Sequence, residues 1–167
     1  KISLSELFFS LKTEEVHLID LSVSSTWIGQ QHEFNDLDLF QFKLDKLQKK
    51  HPNAIISGGY LEPRSLYTSS VYDKIGNSGT ENRSIHLGID LWVPASTPVF
   101  SFLDGHVVMA LNDQGEKAYG GMLVLRHQVP GFQFFTLYGH LDVASVLSYK
   151  PDDYIKKGQE LSRIGNS

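Results

Sequence analysis

Cysteine is absent from the 167 residues, which excludes a disulfide frame, a thiolate nucleophile and a sulfur ligand for a metal. Any metal here must be held by histidine and carboxylate. Long apolar runs are missing too: nothing approaches the roughly 18 residues of a bilayer-spanning helix, so the chain is expected not to span a membrane. Nor is there a basic excess, because 15 Lys and Arg stand against 19 Asp and Glu, a net charge of -4. Nucleic acid and other polyanions are therefore not expected partners. What is present is ordinary for a globular protein, with 41% apolar and 20% charged residues. The length suits one domain, or one domain with an attached element. The chain opens at Lys1 and closes at Gly165-Asn166-Ser167, so the lack of a leader says nothing about compartment.

Along the chain, Ser3 with Glu6 three residues later forms a capping-box pattern and predicts a short helix within residues 3–11. Val16 to Ser22 is compact, apolar and partly β-branched, which reads as a strand. Between Asn35 and Lys50, Leu37, Phe40, Leu44 and Leu47 recur at helical spacing. Asp36 and Asp38 come early, and Lys46, Lys49 and Lys50 come late, as a helix dipole favours. His51-Pro52 ends that helix. Residues 1–55 are thus expected to be an α-containing N-terminal segment.

From residue 56 onward the chain breaks into short β-branched or aromatic runs. Strands are expected at Thr97–Phe102, His106–Leu111, Met122–His127, Phe132–Leu137 and Glu160–Ile164, with the Tyr72–Asn82 stretch as a loop. The spacing of turn residues between them points to an antiparallel sandwich or barrel-like core. The expected class is mainly β, α+β overall, with residues 56–167 as a β-rich domain.

Chemistry concentrates in Arg83-Ser-Ile-His86-Leu-Gly88-Ile-Asp90-Leu-Trp-Val-Pro94. A helix would put His86 and Asp90 on one face, but Gly88 and the β-rich run that follows argue against one. In a straight strand the two residues would lie about 13 Å apart. A bend or bulge at Gly88 would bring imidazole and carboxylate to a common point, as N and O ligands of kinds zinc accepts. A pair alone is incomplete, because catalytic zinc usually has three protein ligands. A second candidate segment is Phe135-Thr-Leu-Tyr138-Gly-His140-Leu141, where an apolar run ends in Tyr-Gly-His. By itself His140 reads as ligand, general base or surface residue.

The order of these segments resembles the lysostaphin-type (LytM-like) zinc metalloendopeptidases. Carrying the likeness are His86 to Asp90, Pro94 to Val99, Asp104 to Val107, Met122 to His127, Tyr138 to Leu141 and Lys157 to Asn166. Together they cover about residues 83–167. A looser likeness, through Tyr60 to Arg64, is to the peptidase-like domain of large fusions with kinase-like and aminotransferase-like domains. The resemblance implies zinc as cofactor, His86 and Asp90 as metal ligands, and His140 as a catalytic histidine outside the ligand set. It further implies a third ligand from a His-x-His motif after the Gly-Asn segment; the sequence stops at Ser167, so the domain is expected to be C-terminally incomplete.

The substrate implied is a peptide, in this family the cross-links of peptidoglycan, and the setting the cell envelope or outside the cell. The fusion likeness would imply the cytoplasm instead. Tyr138 is a candidate substrate-binding residue near the oxyanion, against a plain packing role. His127 matches a position often occupied by His in the family and reads as scaffold, and His106 as a strand-edge residue. His17, His32 and His51 fall outside the likeness. Glu62 and Arg64 read as an ion pair at the start of the β region, or as groove lining.

Two other functions compete. A non-catalytic relative would bind wall peptides or a partner protein without hydrolysis. A carrier domain is suggested by Asp153 to Gly165, which looks like the strand pattern of biotinyl and lipoyl barrels, but no hairpin lysine of the modified kind is visible. That shared pattern supports a barrel-sandwich hybrid architecture, or duplicated hybrid motif.

Overall fold

The computed structural model describes residues 3–13, 15–27, 36–64, 73–76, 79–82, 84–115 and 118–165. The fold is mainly β, with 39% strand and 16% helix. Two compact units divide the chain: Glu15–Trp92, and Lys1–Glu14 together with Val93–Ser167.

The second of these opens with α1 (Leu4–Leu7), where Ser3 caps the helix and its N–H donates to Glu6 Oε2 at 3.0 Å, closing the capping box. The helix stops at Leu7, short of the expected stretch, and Phe9 packs edge-on to Phe100 with ring centroids 5.7 Å apart. Strand β1 (Val16–Leu18) begins the other unit and is likewise shorter than its apolar run. Helix α2 (Leu37–Lys50) has Asp36 as N-cap, accepting from the Leu39 N–H at 3.0 Å, and ends at His51. Leu44 faces Ile19, Leu21 and Ile56 in a buried cluster flanked by Trp27, Phe40, Leu47 and Trp92.

Strand β2 (Ile55–Ser57) is buried along its length because it is central, with β1 parallel on one side. Further along, β3 (Glu62–Pro63) leads to β4 (Asp73–Gly76) and β5 (Gly79–Asn82). The last two pair as a hairpin, so the region expected to be a loop carries strand at residues 73–76 and 79–82. Backbone pairing with a near neighbour needs no apolar alternation, which is why composition concealed it. Strand β6 (Ile85–His86) pairs with β3, and β7 (Leu91–Trp92) closes the other side of β2.

In the remaining unit the strands are β8 (Pro98–Phe100), β9 (Gly105–Asp113), β10 (Gly120–Val129) and β11 (Phe132–Leu141). After them come α3 (Val143–Val146), β12 (Tyr154–Ile155) and β13 (Glu160–Arg163). Antiparallel pairing gives a sheet in the order β11-β10-β9-β12, and β13 pairs with β8. All five expected strands are here, with β9, β10 and β11 longer than expected and β8 and β13 shorter. Along β10 the residues Leu123, Leu125 and His127 are buried and alternate with less buried neighbours, the period-2 pattern of a one-sided core. Val107, Val146, Ile155 and Leu161 complete that core. Burying each such aliphatic side chain contributes about 1.5–3 kcal/mol. Among the described residues, no helix is long and apolar enough to cross a membrane.

Candidate metal and catalytic residues

His86 and Asp90 lie in the unit of residues 15–92. His86 ends β6, where it sits opposite Glu62 of β3. The chain then runs through Leu87-Gly88-Ile89 without forming a helix and re-enters a strand at Leu91. Gly58 donates its N–H to the Asp90 carbonyl at 3.0 Å, tying this short loop back to the end of β2. The bend brings His86 Nε2 to 3.5 Å from Asp90 Oδ1. Gly88 makes it possible, because a Cβ there would lie 2.9 Å from His86 Nε2, in the space the imidazole occupies.

Two ligands of one tetrahedral zinc, each about 2.0–2.1 Å from the ion, stand roughly 3.3–3.4 Å apart. The His86 nitrogen and Asp90 oxygen therefore have the atom types and the spacing of two corners of such a site. Burial lowers the His86 pKa below the ordinary imidazole value, and the Asp90 carboxylate pulls the other way. The Arg64 charge adds to the lowering, while Glu62 opposes it. Neutral imidazole is the form that binds a metal. Among the described residues no third His, Cys, Asp or Glu joins these two in a cluster able to hold an ion.

Arg64, with only 4% of its side chain exposed, is a buried cation beside Asp90. Its Nη1 donates to Asp90 Oδ2, while Nη2 and Nε donate to Glu62 Oε2 at 2.8 and 3.1 Å. The expected Glu62–Arg64 ion pair is thus present. Sequence reasoning did not link Arg64 to Asp90, 26 positions away. The one available signal was an Arg following an acid within three residues of a Gly-Gly pair, at Gly58-Gly59 and Glu62-Pro63-Arg64.

Tyr138 and His140 lie on β11, in the unit that contains residues 93–167. Pairing between β10 and β11 is regular up to Leu123 opposite Tyr138, then shifts so that Gly121 faces Leu141. Gly139 and His140 thus share one partner position, a β-bulge, and His140 takes the left-handed conformation with φ of 56°. A non-glycine residue there costs about 1–2 kcal/mol of backbone strain. The bulge is clamped on both sides. His140 donates its N–H to the Tyr119 carbonyl at 2.7 Å, and its carbonyl accepts from the Gly165 N–H at 2.8 Å. The imidazole is exposed, with the Tyr119 ring centroid 6.2 Å away.

The Tyr138 hydroxyl is buried, and among the described residues no well-aligned hydrogen-bond partner reaches it. Burial raises its pKa, and the nearby Thr136 and Ser101 hydroxyls moderate the rise, so the group stays protonated through neutral pH. His127 is fully buried, with Nδ1 2.8 Å from the Asp104 carbonyl and Nε2 2.8 Å from Thr136 Oγ1. A carbonyl only accepts, so Nδ1 carries a proton. Both ring nitrogens are committed, in keeping with the scaffold reading.

His86 and Asp90 are thus brought together in one unit, and Tyr138 and His140 on one strand of the other. The description of peptidase family M23 fits residues 84–167, half of the chain, and that stretch contains all four. No solved structure matches the chain.

Proposed function

The chain belongs to peptidase family M23, and from that premise we propose that it is a zinc-dependent metalloendopeptidase hydrolysing peptide bonds in peptidoglycan cross-links. The observation that carries the reading is the 3.5 Å approach of His86 Nε2 to Asp90 Oδ1. It lies within the stretch matching a peptidase family, and its two donors suit zinc.

In this reading His86 and Asp90 hold the ion, with a further ligand from outside the pair. When bound, zinc lowers the pKa of a water toward about 7 and polarises the scissile carbonyl. His140 takes the role of general base and acid that the family likeness implies, with an exposed imidazole that can take up and return a proton. The bulge that fixes its backbone keeps the ring's origin constant. Tyr138 keeps its proton at neutral pH, and its buried hydroxyl near Thr136 and Ser101 suits the packing role more than substrate binding. Asp90, held by Arg64 through one oxygen, offers the other to the ion.

Cross-linked muropeptides incubated with the full-length protein test this. Mass spectrometry is expected to show new amine and carboxylate ends, lost on chelation and restored by zinc. Intact peptides in the presence of zinc contradict it. The second reading, a domain that binds such peptides without cleaving them, is favoured by the missing third ligand beside His86 and Asp90 among the described residues. It expects saturable binding with no cleavage.

A further inference from the structure

We propose that Arg64 is a positioning residue for the metal pair, reserving one oxygen of Asp90 for the ion by holding the other; this rests on the zinc reading above. A carboxylate on a flexible stem can offer either oxygen, or both, to a cation. Here Arg64 Nη1 takes Asp90 Oδ2, and the remaining oxygen, Oδ1, is the one that faces His86 Nε2. The carboxylate is therefore presented through a single oxygen with its plane set.

Arg64 is itself immobilised from behind. Glu62 Oε2 accepts from both Nε and Nη2 of the guanidinium, and Glu62 Oε1 accepts from the Leu21 N–H at 3.2 Å. A continuous chain runs from the Leu21 backbone through Glu62 and Arg64 to Asp90. Outer partners of this kind orient metal ligands and tune their affinity. One guanidinium between two carboxylates also leaves a net negative charge beside the pair, which suits a cation.

Two glycines make room for the arrangement. A Cβ on Gly58 would lie 3.0 Å from Arg64 Nη2, and a Cβ on Gly59 would lie 2.8 Å from Glu62 Oε1. The turn after β2 is thus shaped to the buried ion pairs. Asp90 is 35% exposed and Arg64 only 4%, so the guanidinium approaches the carboxylate from the interior and leaves its outer side open. An arginine serving only to fill this space would need no second carboxylate at the surface.

The test is a Co(II) titration of full-length apo-protein, followed by visible absorption, with apo melting temperatures measured alongside. Arg64→Met is expected to raise the Co(II) dissociation constant about 10–100-fold and to change the visible bands, and Arg64→Lys to recover part of the loss. A purely structural arginine would lower the melting temperature but leave affinity and bands unchanged in the folded protein, and that result overturns the proposal. Should Arg64→Met fail to fold, Glu62→Gln decides, because it keeps the side-chain shape while removing the charge that holds Arg64. An unchanged dissociation constant there overturns the proposal as well. His86→Ala separates the two levels. If the wild type takes up no Co(II), or His86→Ala binds like wild type, the zinc reading falls and this inference with it. If His86→Ala loses Co(II) and Arg64→Met does not, only the inference falls.

Discussion

The two units fix their candidate functional residues by different means. In residues 15–92 the backbone around His86 and Asp90 is short strand and loop, and side-chain charge does the fixing, through Glu62, Arg64 and Asp90. Among the described residues of 93–167, no ion pair holds His140. Its position follows from sheet register, a bulge and two backbone hydrogen bonds. A ligand must present one atom at a set distance, which ion pairs achieve by aiming a carboxylate. A general base must present a ring that remains free to exchange protons, and clamping the backbone leaves both nitrogens available.

The contrast can be broken most severely at the ligands. His86→Ala and Asp90→Ala are expected to lose bound zinc, read by elemental analysis, and with it all peptide hydrolysis. His140→Ala should behave differently, with turnover falling about 10²–10⁴-fold while metal content stays at the wild-type level. Equal metal loss in all three variants would erase the distinction between the two regions.

Substitutions at glycine sharpen it. A Cβ on Gly121 would lie 2.3 Å from the Leu141 carbonyl oxygen, so Gly121→Ala should cost about 1–3 kcal/mol by overpacking, measured by chemical denaturation. Gly88→Ala should instead weaken metal binding, with little change in the denaturation midpoint, because the atom it meets is the end of a side chain. His140→Gly is expected to lose turnover like His140→Ala, yet to gain about 1 kcal/mol through relief of left-handed strain. No gain over His140→Ala would show that the bulge carries no strain.

The smallest effect concerns pH. The His86 pKa is lowered in the folded protein, so between that value and about 6.5 the unfolded chain binds more protons than the folded one. His86's contribution to the stability of the metal-free protein therefore falls as pH drops through this window and is constant above it. His86→Gln should flatten that slope, and a slope unchanged in the variant would assign it to another group.

Much of the sheet was legible because β9, β10 and β11 are short apolar, β-branched or aromatic runs punctuated by turn residues. The 73–76 and 79–82 hairpin was not, since its sequence of Gly, Asn, Thr and charged residues carries no such apolar run. His86 and Asp90 stood out through a glycine between two ligand-type residues, and Gly88 bends the chain as that pattern suggests. The bond from Arg64 to Asp90 escaped because it spans 26 positions, and a single arginine gives no periodic signal. The bulge at His140 was equally silent: register shifts depend on how two strands meet, which neither strand records alone.

The central claim is that His86 and Asp90 hold a metal ion on which the chemistry depends. Its most direct test is the zinc content of the full-length protein, purified without chelator, beside His86→Ala and His140→Ala. The account expects about one zinc per chain in the wild type and in His140→Ala, and none in His86→Ala. Zinc content unchanged by His86→Ala would contradict it.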